Sequence, residues 1–261
     1  MNEFLKAENI KVIYQTPETE TTAVENVSFD VEKGQFVSIV GPSGCGKSTV
    51  LSCMAGLYRQ QAGSILLEGE DINKKRGQIG YMLQSDNLMP WRSVWRNVLA
   101  GLEIQKKLTA ENLDYARTLL QRYGLWQFRD AFPAQLSGGM RQRVALIRTL
   151  ALKPGLLLLD EAFSALDYQT RVSVSCDVAE ILRRENKTLV MVTHDIPEAV
   201  SMSDRVIIFS RRPAVVQKVV DIDLGGKENN PIQRRAHPRF QYYFNLIWKE
   251  LTENEKDAYS P

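Results

Sequence analysis

The stretch GPSGCGKST, residues 41–49, decides how the rest of the chain is read. The apolar run Phe36-Val37-Ser38-Ile39-Val40 precedes it and predicts a buried strand. Residues 50–55, free of helix breakers and halted by Gly56, predict a helix after it. Gly41, Gly46, Lys47 and Ser48 then fall on the spacing G-x-x-x-x-G-K-S between strand and helix. Glycines let the backbone curl so that several N–H groups face phosphate oxygens, and a helix N-terminus adds positive potential. Lys47 can reach β- and γ-phosphates, and the Ser48 hydroxyl suits a magnesium ion. Pro42, Ser43, Gly44, Cys45 and Thr49 complete the loop, which predicts a bound nucleoside triphosphate. Alkylation of Cys45 is expected to block that binding.

Outward from the loop, strands alternate with helices. Residues 5–13 predict a strand ending near Tyr14, and residues 23–31 alternate as a half-buried strand does. Short strands follow at 63–67 and 80–83. Between 88 and 152 the apolar period becomes helical, with Val94, Val98 and Leu102 in one stripe and Leu113, Ala116, Leu119, Leu120 and Tyr123 in another. The sheet resumes with four leucines, 156–159, that end in Asp160-Glu161. A helix bearing Val174, Val178, Ile181 and Leu182 follows, then a strand at 189–192, a helix at 197–202 and a strand at 206–209. This order predicts a parallel sheet with functional residues at its carboxyl ends. Residues 214–224 read as one or two edge strands, 234–239 as a solvated basic run, and 240–251 as a helix packed on its own domain.

Composition restricts the function classes. With 33 Lys and Arg against 31 acidic residues the formal charge is +2, which does not suit a nucleic-acid partner held by a broad basic surface. Three cysteines (Cys45, Cys53, Cys176) match neither a metal spacing nor a secreted disulfide framework. No apolar window reaches the length of a membrane span, and the first residues lack the apolar core of a signal peptide. A membrane role is therefore expected to come through partners.

Four further landmarks narrow the choice. Leu136-Ser137-Gly138-Gly139-Met140-Arg141-Gln142-Arg143 precedes the leucine strand, and Ser164-Ala165-Leu166-Asp167 follows its acids. Thr193-His194-Asp195 closes the next strand, and Gln84 ends the strand entering the helical segment. In this order the motifs resemble the ABC-type ATPases, from about residue 5 to residue 210. The resemblance implies an α/β fold of the P-loop NTPase (RecA-like) type: a parallel sheet core, an N-terminal antiparallel β region and a helical signature subdomain. The ATP-binding domain is expected to cover 1–225, with core 1–87 and 153–225 and helical subdomain at about 88–152. Residues 226–261 form a C-terminal tail with a helix.

The resemblance also implies roles. Two subunits would face each other head to tail, each ATP lying between the phosphate loop of one and Ser137, Gly138 and Gly139 of the other. Glu161 would polarise the attacking water and His194 would sense the γ-phosphate. Gln84, catalytic and metal-linked, would join Ser48 and Asp160 around Mg2+. Asp167 would connect the two sites, and Tyr14 would stack on adenine. Ala162 stands where many relatives have proline and Ile147 where alanine is usual, and both predict packing adjustments with activity retained.

Leu88-Met89-Pro90-Trp91 with Asn97-Val98, the short tail and its basic, aromatic character resemble the nitrate/sulfonate/taurine importer branch. That implies a separate transmembrane permease docking near 84–95, a solute-binding protein acting indirectly, and a peripheral place on the cytoplasmic face of the membrane. A soluble ATPase in DNA repair or translation is the alternative. The long coiled-coil insertion or tandem cassettes usual there do not occur in this sequence.

Overall fold

The computed structural model describes residues 3–164, 166–225 and 230–256. Ala165 and the tail residues 226–229 and 257–261 lie outside them. The chain begins with strands β1 (Glu3–Gln15), β2 (Glu20–Glu32) and β3 (Phe36–Val40), followed by helix α1 (Lys47–Met54). Strands β4 (Ala62–Leu67), β5 (Glu70–Asp71) and β6 (Ile79–Met82) lead into helices α2 (Val94–Ile104), α3 (Ala110–Arg122) and α4 (Gly138–Leu150). Then come β7 (Leu156–Asp160), α5 (Tyr168–Arg184), β8 (Thr188–Val192), α6 (Ile196–Met202), β9 (Arg205–Phe209) and β10 (Ala214–Asp221). Helices α7 (Pro231–Arg235) and α8 (Phe240–Lys256) close the described chain.

Among the described residues the strands form one sheet in the order β5-β4-β1-β2-β10-β9-β3-β8-β7-β6. Strands β6, β7, β8, β3 and β9 run parallel, while β1, β2, β4 and β5 pair antiparallel. This is the mixed α/β architecture expected from the sequence. The leucine strand shows why its apolar run is unbroken. Leu157 and Leu159 enter the core beneath the helical segment, and Leu156 and Leu158 enter the core shared with α1. A strand buried on both faces has no polar side to alternate with.

Register sets the functional edge. Ile39 on β3 pairs with Val192 on β8, and Val192 pairs with Asp160 on β7. The carboxyl ends of three adjacent strands are thus level to within a residue, and β6 adds a fourth beside them. The chain segments leaving these ends converge over one rim of the sheet.

Several expectations need correction. β10 is a single strand and lies inside the sheet, parallel to β2 and antiparallel to β9, so it is no edge. It joins the antiparallel and parallel halves, and its alternating exposure had disguised an interior position. β2 starts at Glu20 because a tight turn at Thr16–Thr19, closed by backbone and hydroxyl bonds, extends the hairpin. α1 starts at Lys47, inside the loop motif. β6 ends at Met82, which leaves Gln84 in the bend beyond it. The basic run is not uniformly solvated: Arg234 is buried, its guanidinium donating to the Ser203 carbonyl. α8 packs through Tyr243 and Ile247 against α6, β9 and β10.

A candidate nucleotide site completed by a second surface

The loop between β3 and α1 borders an open cavity of about 460 Å³. Its lining includes Tyr14, Gly41, Ser43, Gly44, Gly46, Lys47, Ser48, Thr49, Gln84, Glu161 and His194. Gly46 shows what the loop demands. Its φ is +118°, and a Cβ there would stand 2.9 Å from the Ala23 carbonyl oxygen, so only glycine fits. Lys47 Nζ donates to the carbonyls of Gly41 and Pro42, both at 2.8 Å, which holds the ammonium across the loop mouth. Tyr14 shares a hydrogen bond with Thr49 across the opening, at 3.0 Å, and its ring tilts against Tyr58.

Beside the loop the Ser48 hydroxyl donates to Asp160 at 2.8 Å, and the Tyr81 hydroxyl donates to the other carboxylate oxygen at 3.3 Å. Burial raises the Asp160 pKa, opposed by these two hydrogen bonds. Glu161, the next residue, adopts φ +46°, a left-handed conformation that disfavours a side chain. The backbone around it fixes that geometry. Its N–H donates to the Val192 carbonyl, and its own carbonyl accepts from the Ser164 N–H and hydroxyl. The bend turns the carboxylate to the cavity, where Oε2 accepts from Gln84 Nε2 at 3.1 Å and stands 3.2 Å from His194 Nδ1. Strain of about 1–3 kcal/mol is held here by the surrounding bonds.

Four of the expected residues lie elsewhere. Ser137 caps α4, its hydroxyl accepting from the Met140 N–H, and Ser137 and Gly138 are exposed. Asp167 caps α5, accepting from the Thr170 N–H at 3.0 Å, and is exposed too. None of Ser137, Gly138, Gly139 and Asp167 lines the cavity within the chain. The Cys45 side chain is almost fully buried, and burial raises its thiol pKa. The thiolate needed for alkylation is scarce and screened, so the native loop is expected to resist the reagent.

Sequence reasoning missed the groups that tie this site together. Arg212, from the turn before β10, brings a second cation to the lining. Asn97, an amide on the buried stripe of α2, donates to the carbonyls of Met89, Arg92 and Ser93 and accepts from the Met89 N–H. Arg148 donates to the carbonyls of Asp86 and Asn87, Arg141 pairs with Asp86, and Gln142 donates to Gln84 and Ala162. The helix that Ser137 caps therefore grips both the Gln84 bend and the residue after Glu161. Asn97 entered the sequence reading only through the branch resemblance, and its hold on the 89–93 loop had no signal beyond a polar residue on an apolar stripe.

Behind His194 the Thr193 hydroxyl donates to Glu198 Oε2, while Glu198 Oε1 is buried without a partner among the described residues. Burial pushes the Glu198 pKa up from 4.5 to about 7, with Asp195 adding to the rise and the Thr193 bond opposing it. The unfolded chain ionises this group first, so the stability it contributes is fully present below pH 4.5 and is lost as pH rises to about 7. Glu198→Gln keeps an acceptor for Thr193 and removes the titration. Urea unfolding is expected to find the variant more stable by roughly 3 kcal/mol at pH 8, and within about 1 kcal/mol of the parent at pH 5.

Comparison with known proteins agrees with this geometry. A family model described as ABC transporter matches residues 24–164. The uncharacterized ABC transporter ATP-binding protein YtlC of Bacillus subtilis (strain 168) is 47% identical over 97% of each chain. The nitrate import ATP-binding protein NrtD of Synechocystis sp. is 38% identical over 90% of each. The aliphatic sulfonates import ATP-binding protein SsuB of Bacillus thuringiensis is 38% identical over 84% of this chain and 87% of its own. Among solved structures, the dimeric ATP-binding cassette MJ0796 bound to ADP and Pi is similar at a TM-score of 0.76 and 31% identity, over 84% of this chain and 99% of that one. With its phosphate loop, acid pair and LSGG helix arranged on this fold, the chain belongs to the ABC transporter family as an ATP-binding ATPase subunit.

Proposed function

We propose that the chain works in pairs and powers uptake of a small solute, of the nitrate or sulfonate class, through a separate permease. The observation that carries the pairing is the exposed Ser137-Gly138 cap, an anion-binding end of a helix that does not line the nucleotide cavity of its own chain. The solved cassette that resembles this chain is a dimer. Each ATP lies between one subunit's residues 41–49, with Tyr14 against the adenine, and the partner's Ser137, Gly138 and Gly139. Asp167 connects the two sites from the cap of α5.

In this arrangement Lys47, the loop N–H groups and His194 hold the β- and γ-phosphates. Glu161 takes up the proton of the attacking water, oriented by Gln84 and His194 through its Oε2. Ser48, Asp160 and Gln84 offer the hard oxygen donors that suit Mg2+, and no cluster of three His, Cys, Asp or Glu side chains competes for a metal among the described residues. When bound, the ion neutralises phosphate charge. The protein supplies position and exclusion of water.

Similarity to the nitrate and sulfonate import proteins supports the solute class. The permease surface rests on Trp91, 75% exposed on the loop that Asn97 pins beside the Gln84 bend. An exposed tryptophan on a fixed loop is the kind of anchor that interfaces enrich. Among the described residues no helix is long and apolar enough to cross a membrane, so this contact would hold the chain at the cytoplasmic face. Trp91→Ala is expected to cut transport in reconstituted vesicles at least ~10-fold, the loss of one interface anchor, while ATPase activity of the free subunit stays unchanged. Equal loss of both activities would count against docking there.

A further inference from the structure

A second cavity, of about 350 Å³, lies between α5, α6 and α7, away from the nucleotide loop. Its floor is apolar, with Ala179, Met202 and Pro231, and its cations are Arg183, Arg184 and Arg234. The charges do not balance. Both oxygens of Asp204 are spent on Arg183 at 2.7 Å, and one also accepts the Phe36 N–H at 2.9 Å. Arg234 is 3% exposed and stands 3.8 Å from the same carboxylate. One of its η nitrogens donates to the Ser203 carbonyl, and its Nε is buried with no partner among the described residues. Glu180, the acid at the cavity, is already engaged by Arg122 at 2.8 Å. A buried guanidinium that shares the Asp204 carboxylate with Arg183 and keeps an unspent donor beside an apolar pocket has charge left for a second anion, and a planar donor fork suits an oxyanion.

We propose that this cavity binds a small organic oxyanion, a carboxylate or sulfonate carrying a short apolar body, with its head on Arg234 and Arg184 and its body against Ala179 and Met202. The volume lies at the small end of the range for such pockets. The site does not depend on the solute class proposed above, and a free metabolite or the transported solute would satisfy the same chemistry.

The test is calorimetric titration of the full chain with 1-butanesulfonate, butyrate and sulfate, with saturating Mg-ADP present so that the phosphate loop is already filled. One equivalent of butanesulfonate or butyrate is expected to bind, at least about tenfold tighter than sulfate. Exposed Arg184→Glu is expected to weaken binding at least about tenfold while leaving the far-ultraviolet spectrum and ADP affinity unchanged. Arg234→Gln is expected to abolish it, and where that variant does not fold, Arg184→Glu and Arg184→Lys decide alone, the latter retaining binding. No heat with any of the three anions, equal affinity for neutral 1-butanol, or unaltered binding in Arg184→Glu would overturn the proposal. Because ADP binding is followed separately, failure here leaves the nucleotide reading intact.

Discussion

Glu161→Gln is expected to lower ATP turnover by a factor of about 10²–10⁴, the usual share of a positioned general base, while ATP still binds. The two side chains have the same shape, and the bonds that force residue 161 into φ +46° run through the backbone. Neither the bend nor the cavity should therefore change. What is lost is the ability of Oε2 to take a proton from water while Gln84 and His194 orient it. Binding depends instead on the loop N–H groups and Lys47. With chemistry blocked and affinity kept, the ATP-bound pair should accumulate, and size-exclusion chromatography in ATP should show a dimer that ADP does not support. An unchanged hydrolysis rate would remove Glu161 from the mechanism. A parallel fall in ATP affinity would mean that the substitution had disturbed the loop.

The example also shows how far sequence carried. The strand-loop-helix around Gly41–Thr49 was readable because its chemistry is local, with glycine, lysine and serine at fixed spacing in one segment. The alternation of strands and helices was readable for the same reason, since burial on two faces leaves a run such as Leu156–Leu159 with no polar positions. What escaped depended on distant partners. β10 looks like an edge by its alternating exposure, yet β2 and β9 take both of its sides. Arg234 sits in a basic run, and only the fold brings it beside Asp204 and away from water. The left-handed turn at Glu161 needs the Val192 carbonyl from a strand thirty residues on, so no local residue announces it. Asn97 reads as one polar position in an apolar helix until the loop it holds is in place.

The division of the site between two chains yields the second large effect. Ser137→Arg, at the exposed cap of α4, is expected to leave ATP binding to the single chain intact and to abolish hydrolysis. The substitution costs about 1 kcal/mol of capping, too little to unfold a domain of this size, and Ser137 does not line the chain's own cavity. Lys47→Ala fails in the opposite way. It removes a charge-assisted donor worth about 1.5–3 kcal/mol, so ATP affinity should fall roughly 10- to 100-fold. Mixed together, the two variants separate the readings. In a head-to-tail pair one interface collects both lesions, while the other joins an intact loop from the Ser137→Arg chain to an intact cap from the Lys47→Ala chain. At ATP concentrations too low to load the Lys47→Ala chain, ATP should then make a tagged Ser137→Arg chain capture the Lys47→Ala chain, and the mixture should hydrolyse ATP although neither variant does alone. Absence of both capture and turnover would place the whole site in one chain and leave the exposed Ser137-Gly138 cap without a ligand.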